Sequence, residues 1–254
     1  MFSGRGGEAM APIEEHGALW ELDLSTKEWS LLHPADYTKP YPPARSYHCM
    51  ANDGSDEIFL HAGCPEKGRL SDLWCFQVEQ RRWTQLADAP GPARGGASLA
   101  YAGCKLYRMN GFDGKTEQGG VIDIYDMECD SWISQKFEAD GDAGPPARSV
   151  SVLLPLNIEG NQTLVTIFGE RDPSVLGHQG AGKMLGDVWL YDIASGTWTA
   201  VDVGGDVEGR PCARGWFAAD VLVGPEGDTI VLHGGLGESN ERLGDVWMLS
   251  FELD

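Results

Sequence analysis

Apolar and polar positions in this chain change over in short runs, and the runs recur. Between Gly144 and Val203 an apolar run at Ser149–Pro155 is followed by a second at Thr163–Phe168 and then by a long loop. A third run, Asp187–Ile193, leads through the turn Ala194–Thr197 to Trp198. Runs of about 5–7 residues, rich in Val, Ile, Tyr and Trp and punctuated by Gly, Pro, Asp and Ser, predict four short β-strands.

The same unit is found, whole or cut short, along the rest of the chain. A P-x-A-R or A-R step ends at Arg45, Arg94, Arg148 and Arg214, each followed by Ser or Gly and an apolar run. A tryptophan closes the unit at Trp29, Trp83, Trp132 and Trp198, and seven residues before each stands Leu22, Phe76, Tyr125 or Tyr191. Three copies carry a further tryptophan nine residues before the closing one, at Trp20, Trp74 and Trp189, and the last copy carries Trp247. A period near ~50 residues with four strands per unit predicts kelch-type blades, hence an all-β propeller forming a single domain over 1–254. The copies fall at 1–41 (partial), 42–90, 91–141, 142–207 and 208–254 (partial): about five blades, three of them complete. The first copy lacks its inner strand and the last its outer one, so a segment of roughly one and a half blades is expected upstream. A glycine pair is expected to end each second strand, clear at Gly234-Gly235 and Gly6-Gly7 and degenerate at Ala62-Gly63, Asn110-Gly111 and Gly169-Glu170. Glycine there permits a positive φ where a Cβ would clash.

Charge narrows the partners. The chain has 39 acidic and 19 basic residues, a formal net charge of −20, which disfavours nucleic acid and anionic membranes and makes any anion site a local basic focus. No apolar run reaches the roughly 18 residues that a membrane-spanning helix needs, and no signal-peptide core opens the chain. Six cysteines without a C-x-x-C pair are read as single thiols in a reducing compartment, with a cytoplasmic location as the default. No phosphate-binding loop, nucleophile elbow or H-E-x-x-H motif is present.

Several longer stretches are more specific than a generic repeat: PPARSYHCMA, RLSDLW, PARGGASLAY, NGFDG, ARSVSVLL, FGERDPSVLGHQGAGKMLGDVWLYD and the pair ARGWFAADV with GGLGESNERLGDVW. Together they resemble, over nearly the whole chain, the kelch nitrile-specifier and thiocyanate-forming proteins of plants and their fungal relatives. The resemblance implies a six-bladed propeller. It implies a lyase-like activity that uses Fe(II) and steers glucosinolate aglycones toward nitriles, epithionitriles or thiocyanates. It also implies iron ligands in an E-x-x-x-D-x-x-x-H pattern. Here Glu170 and His178 hold the outer positions and Ser174 the middle one, with Asp172 two residues earlier as the substitute carboxylate.

Topology supplies a site on its own terms. Antiparallel strands put the step into strand one and the loop between strands two and three on one face of the disc. Arg45, Arg94, Arg148 and Arg214 are therefore expected beside Glu170, Asp172 and His178 at one mouth of the channel, with Trp216 and Tyr47 as apolar walls. The arginines either hold the anionic group of a small sulfur-containing substrate or pair with a carboxylate or carbonyl of a neighbouring blade. A carboxylate–imidazole set suits Fe(II). The cluster Glu14-Glu15-His16 in the corresponding loop of the first copy is read as exposed charge. A non-enzymatic module that binds another protein is the alternative, because propellers host both functions.

Overall fold

The structure is a computed structural model that describes residues 1–158, 160–174, 180–204, 209–224 and 227–251. Each run of alternating residues forms a strand, and the described residues contain no helix. In the first copy β1 (Arg5–Gly6) and β2 (Ala11–Pro12) form a hairpin, and β3 (Leu19–Leu22) pairs with β4 (Trp29–Leu32). Three four-stranded antiparallel sheets follow. They are β5 (Cys49–Asn52) to β8 (Arg82–Leu86), β9 (Ser98–Ala102) to β12 (Ser131–Lys136), and β13 (Val152–Ile158) to β16 (Thr197–Val201). Their inner strands are β6 (Glu57–His61) and β7 (Leu73–Gln77), β10 (Lys105–Met109) and β11 (Val121–Asp126), and β14 (Asn161–Arg171) and β15 (Lys183–Asp192). The last sheet has three strands, β17 (Ala218–Gly224), β18 (Gly227–Leu236) and β19 (Arg242–Ser250). This is an all-β kelch-type propeller.

The seven-residue spacing has a direct structural meaning. Phe76↔Trp83, Tyr125↔Trp132 and Tyr191↔Trp198 are cross-strand partners on β7/β8, β11/β12 and β15/β16. Their rings lie 4.9, 5.2 and 4.9 Å apart, within the range that favours tilted aromatic pairs. The core is shared between sheets. One buried cluster joins Phe2 and Leu19 to Leu60, Trp74 and Phe76; a second joins Phe59 and Leu73 to Leu99, Leu106 and Tyr125. A third joins Tyr107 and Ile122 to Leu153 and Leu164, and a fourth joins Val165 and Val188 to Ile230 and Leu232. A single sheet has no second layer to bury these side chains against, so neighbouring blades stabilise one another. On the last sheet Leu222, Val223, Val246 and Met248 are exposed.

The backbone at the end of each second strand corrects one expectation. Two consecutive residues are left-handed there: Ala62 (φ 60°) and Gly63 (102°), Asn110 (62°) and Gly111 (103°), Phe168 (53°) and Gly169 (113°). The first position tolerates Ala, Asn or Phe because it lies in the left-handed helical region, whereas φ beyond 100° is essentially restricted to glycine. The pair in the fourth copy is therefore Phe168-Gly169, not Gly169-Glu170. In the first copy it is Ser3 (φ 44°) and Gly4 (116°), while Gly6-Gly7 lies at the β1–β2 hairpin. Each of these glycines then donates its N–H to the arginine carbonyl of the next blade: Gly4 to Arg45 at 3.0 Å, and Gly63 to Arg94, Gly111 to Arg148 and Gly169 to Arg214 at 2.9 Å.

Blade three departs from the pattern. Where other blades oppose Leu60↔Trp74, Thr166↔Trp189 or Leu232↔Trp247, it opposes Arg108↔Asp123. This buried pair carries two further contacts: Ser134 Oγ donates to Asp123, and Arg108 Nε donates to His61 Nε2 at 3.1 Å. Burial, and then the Arg108 charge, lower the His61 imidazole well below its usual range, and its other ring nitrogen donates to the Asp72 carbonyl at 2.8 Å.

Candidate functional site

The four repeat arginines do not face the mouth. Arg45, Arg148 and Arg214 are 0% exposed and Arg94 is 6% exposed. Each guanidinium folds back into its own blade. Its Nε donates to the carbonyl two residues earlier, at Pro43, Pro92, Pro146 or Cys212. One terminal nitrogen donates to the carbonyl that the left-handed pair turns inward, at Ala62, Asn110, Phe168 or Gly234. Three of the four also form two-point bonds with an aspartate just before or within strand three, two residues ahead of a tryptophan: Arg45–Asp72, Arg148–Asp187 and Arg214–Asp245, at 2.6 to 2.8 Å. The indole N–H of the tryptophan two residues on, Trp74, Trp189 or Trp247, donates to the same carboxylate. Hydrogen bonds from Arg214 and Trp247 hold the Asp245 carboxyl well below the usual range. Burial raises the Asp187 carboxyl, but Arg148 and Trp189 outweigh it and the net shift is down. Arg94 has Val121 at the aspartate position, and burial together with the Arg108 charge lowers its guanidinium to about 10. These side chains are clamps between strands one and three. The expected carboxylate partner exists, but in the same blade rather than a neighbouring one.

The backbone they anchor does converge at one mouth. Two residues after each arginine the chain is left-handed again, at Tyr47, Gly96, Val150 and Trp216 (φ 56°, 61°, 48° and 63°). These residues are joined in sequence, Gly96 N–H to Tyr47 O (2.8 Å), Val150 N–H to Gly96 O (2.9 Å) and Trp216 N–H to Val150 O (3.1 Å). The Tyr47 and Trp216 rings meet edge-on at 5.5 Å. A cavity of about 360 Å³ opens above this neck, within the ordinary range of ligand sites.

Its walls come from a second ring position, the residue after each special glycine. Arg5, Cys64, Phe112, Glu170 and Leu236 occupy it, and all but Leu236 line the cavity. Cys64, Phe112 and Glu170 are fixed there by single bridges to Ser46, Gly95 and Ser149. Arg69 and Glu117 add to the wall from the loops that follow. Arg5 lies over the Tyr47 ring at 5.2 Å and donates from Nε to Ser46 Oγ; Arg69 lies over Phe112 at 5.1 Å. Glu170 is 6% exposed and accepts the Gly182 N–H at 2.6 Å. Glu117 accepts from Ser149 Oγ at 3.0 Å, and burial, followed by the nearby Glu170 charge, raises its carboxyl above the usual range. Burial raises the Cys64 thiol against the pull of Arg69 and Arg5, so it is present as a neutral thiol.

Of the residues that the sequence singles out, Tyr47, Glu170 and Trp216 line the cavity together with Ser174. Asp172 lies beside Arg171, 3.8 Å away, with a mostly exposed side chain, and His178 falls outside the described residues. Among the described residues no group of three or more His, Cys, Asp or Glu side chains is placed to hold a metal. Glu170 and Asp172 by themselves do not make an iron site. Arg5, Arg69, Phe112 and Glu117 escape the repeat pattern because they vary in type from copy to copy. Aligning the copies on the special glycine, instead of the arginine, places Arg5, Phe112 and Glu170 in one slot.

One pH effect arises beside the neck. Burial, and then the Arg45 charge, depress His48 from 6.5 to about 4. A base with a lowered folded pKa contributes fully to stability above pH 6.5 and loses that contribution as pH falls through 4. At about 1.4 kcal/mol per unit the loss is on the order of 3 kcal/mol. Thermal unfolding between pH 7 and 4 is expected to fall less steeply in His48→Gln than in the wild type.

Comparisons with known proteins agree with this architecture. The chain is 24% identical over 274 residues to the N-(sulfonatooxy)prop-2-enimidothioate sulfolyase of Thlaspi arvense, covering 98% of this chain and 73% of that protein. It is 25% identical over 223 residues to the F-box/kelch-repeat protein At1g51550 of Arabidopsis thaliana, covering 84% of this chain and 43% of that one. It is 22% identical over 273 residues to Mei4-dependent protein 6 of Schizosaccharomyces pombe, covering 98% of this chain and 37% of that one. The profile of the KLHDC2/KLHL20/DRC7 Kelch-repeats domain matches residues 1–169. With the blade repeat in place over the same residues, the chain belongs to this kelch-repeat family.

Proposed function

We propose that this propeller binds a small sulfated or sulfonated organic molecule at its mouth and acts on it in the manner of the specifier proteins. It would redirect the breakdown of glucosinolate-type aglycones toward nitriles or thiocyanates. The observation that carries this reading is the cavity itself, where two arginines lie over aromatic rings inside an otherwise strongly acidic protein. A guanidinium so held keeps its planar fork of donors for an anionic group. Val150, Phe112 and Trp216 supply apolar walls for a side chain. The name of the Thlaspi arvense relative, a sulfolyase of a sulfonatooxy compound, fits a ligand of that charge.

In this reading Arg5 and Arg69 hold the sulfate while the neck residues exclude water from below. The test is product analysis: myrosinase, a glucosinolate and this protein, with Fe(II) supplied. Nitrile or thiocyanate is expected to rise at the expense of isothiocyanate, and Arg69→Ala to abolish the change. An isothiocyanate yield identical with and without the protein would end this reading. A second reading, a protein-binding module, is favoured by the exposed Val246, Met248, Leu222 and Val223 on the last sheet.

A further inference from the structure

Five charged residues line the cavity, and one of them, Glu66 of the second copy, is exposed. The four that are buried or half-buried are sorted by blade: Arg5 and Arg69 belong to the first and second copies, Glu117 and Glu170 to the third and fourth. Among the described residues no ion pair within 4 Å joins the basic half to the acidic half. Oppositely charged side chains that face one small space ordinarily collapse onto each other unless something else holds them. Here each is held apart through one contact. Ser46 fixes Arg5 by its Nε, and Phe112 carries Arg69, whose Nε has no partner. Ser149 fixes Glu117 by one oxygen, and the Gly182 N–H fixes Glu170 by one oxygen. The remaining donors and acceptors are left to the cavity.

An anion alone would meet two arginines but also the inner carboxylates of Glu117 and Glu170, and a cation alone would meet the reverse. We infer that the mouth selects a dipolar small molecule, with an anionic group against Arg5 and Arg69 and an ammonium or similar strong donor against Glu117 and Glu170. The middle of such a molecule lies against Phe112, Val150 and Trp216, which suits a short methylene spacer. A volume of about 360 Å³ leaves room for about a dozen non-hydrogen atoms at ~30 Å³ each. The inference rests on the cavity as the binding site but not on the specifier reaction, so either can fail while the other stands.

The test is calorimetric titration of the whole chain with 3-aminopropanesulfonate, propanesulfonate and propylammonium. The aminosulfonate is expected to bind at least tenfold more tightly than either single-charge probe. Glu117→Gln is expected to erase most of that advantage while leaving propanesulfonate affinity equal or higher. Arg69→Ala is expected to weaken both sulfonates. Propanesulfonate binding as tightly as the aminosulfonate overturns the inference, as does the absence of measurable binding by all three. Because the comparison of probes is made on the unaltered protein, it does not depend on any variant folding.

Discussion

Asp187→Asn is expected to lower stability by about 3–5 kcal/mol, the usual cost of removing one partner from a buried ion pair. For a chain of this size that corresponds to a fall of roughly 10 °C in the unfolding midpoint. The reason is the two-point bond from Arg148, whose side chain is fully buried with both terminal nitrogens on the Asp187 carboxylate. Asparagine keeps an acceptor for the Trp189 indole but leaves a guanidinium charge uncompensated inside the blade. Arg94→Met provides the contrast. Its guanidinium has no carboxylate partner among the described residues, since Val121 stands where the aspartate would be, so its removal is expected to cost clearly less. Calorimetry of both variants decides the matter, and equal losses would mean that the carboxylates do not set the strength of the clamps.

The second large effect is expected from Gly169→Ala. At φ 113° the backbone is in a region that side chains rarely enter, and a Cβ there would lie 2.8 Å from the Ser149 carbonyl oxygen and 2.9 Å from the Ser151 Cβ. Strain of about 1–3 kcal/mol adds to the displacement of a bridge between blades, for a total of at least about 3 kcal/mol. Gly7→Ala is the control, because Gly7 also has a positive φ, 68°, but nothing lies within 4 Å of where its added methyl would stand; it is expected to cost about 1 kcal/mol. Urea unfolding midpoints measure both. Similar losses in the two variants would show that the bridging contacts from the special glycine to the next blade contribute little.

These two cases show where sequence reasoning succeeds and where it stops. Strand order and the aromatic partners seven residues apart follow from a period-two pattern and a recurring tryptophan, which are local properties. The face shared by the A-R step and the following loop also follows, because antiparallel pairing allows only one arrangement. Side-chain direction does not. Arg148 and Trp216 lie in the same kind of step, yet one turns into its blade and the other lines the mouth. The choice is made by a left-handed residue and by an aspartate 39 positions downstream of Arg148. The glycine pair of the first copy eludes the sequence for a related reason: Ser3-Gly4 has the required backbone although only one of the two residues is glycine. The charged wall of the cavity is equally hidden, because its members share a position, not a residue type.

Blade three sets a limit on treating the repeats as interchangeable parts. Its acid, Asp123, stands where sister units have an indole, and its counter-ion, Arg108, sits on the adjacent strand and reaches across the seam to His61 of the preceding unit. A chimera that imports a sister unit at this place would strip His61 of its donor. One that places this unit after the first, third or fourth would set the guanidinium against Phe2, Met109 or Ile167, which occupy the slot of His61 in those units, whereas His233 occupies it in the last. Shuffling of these modules is therefore constrained to orders in which unit three follows a unit that carries this histidine.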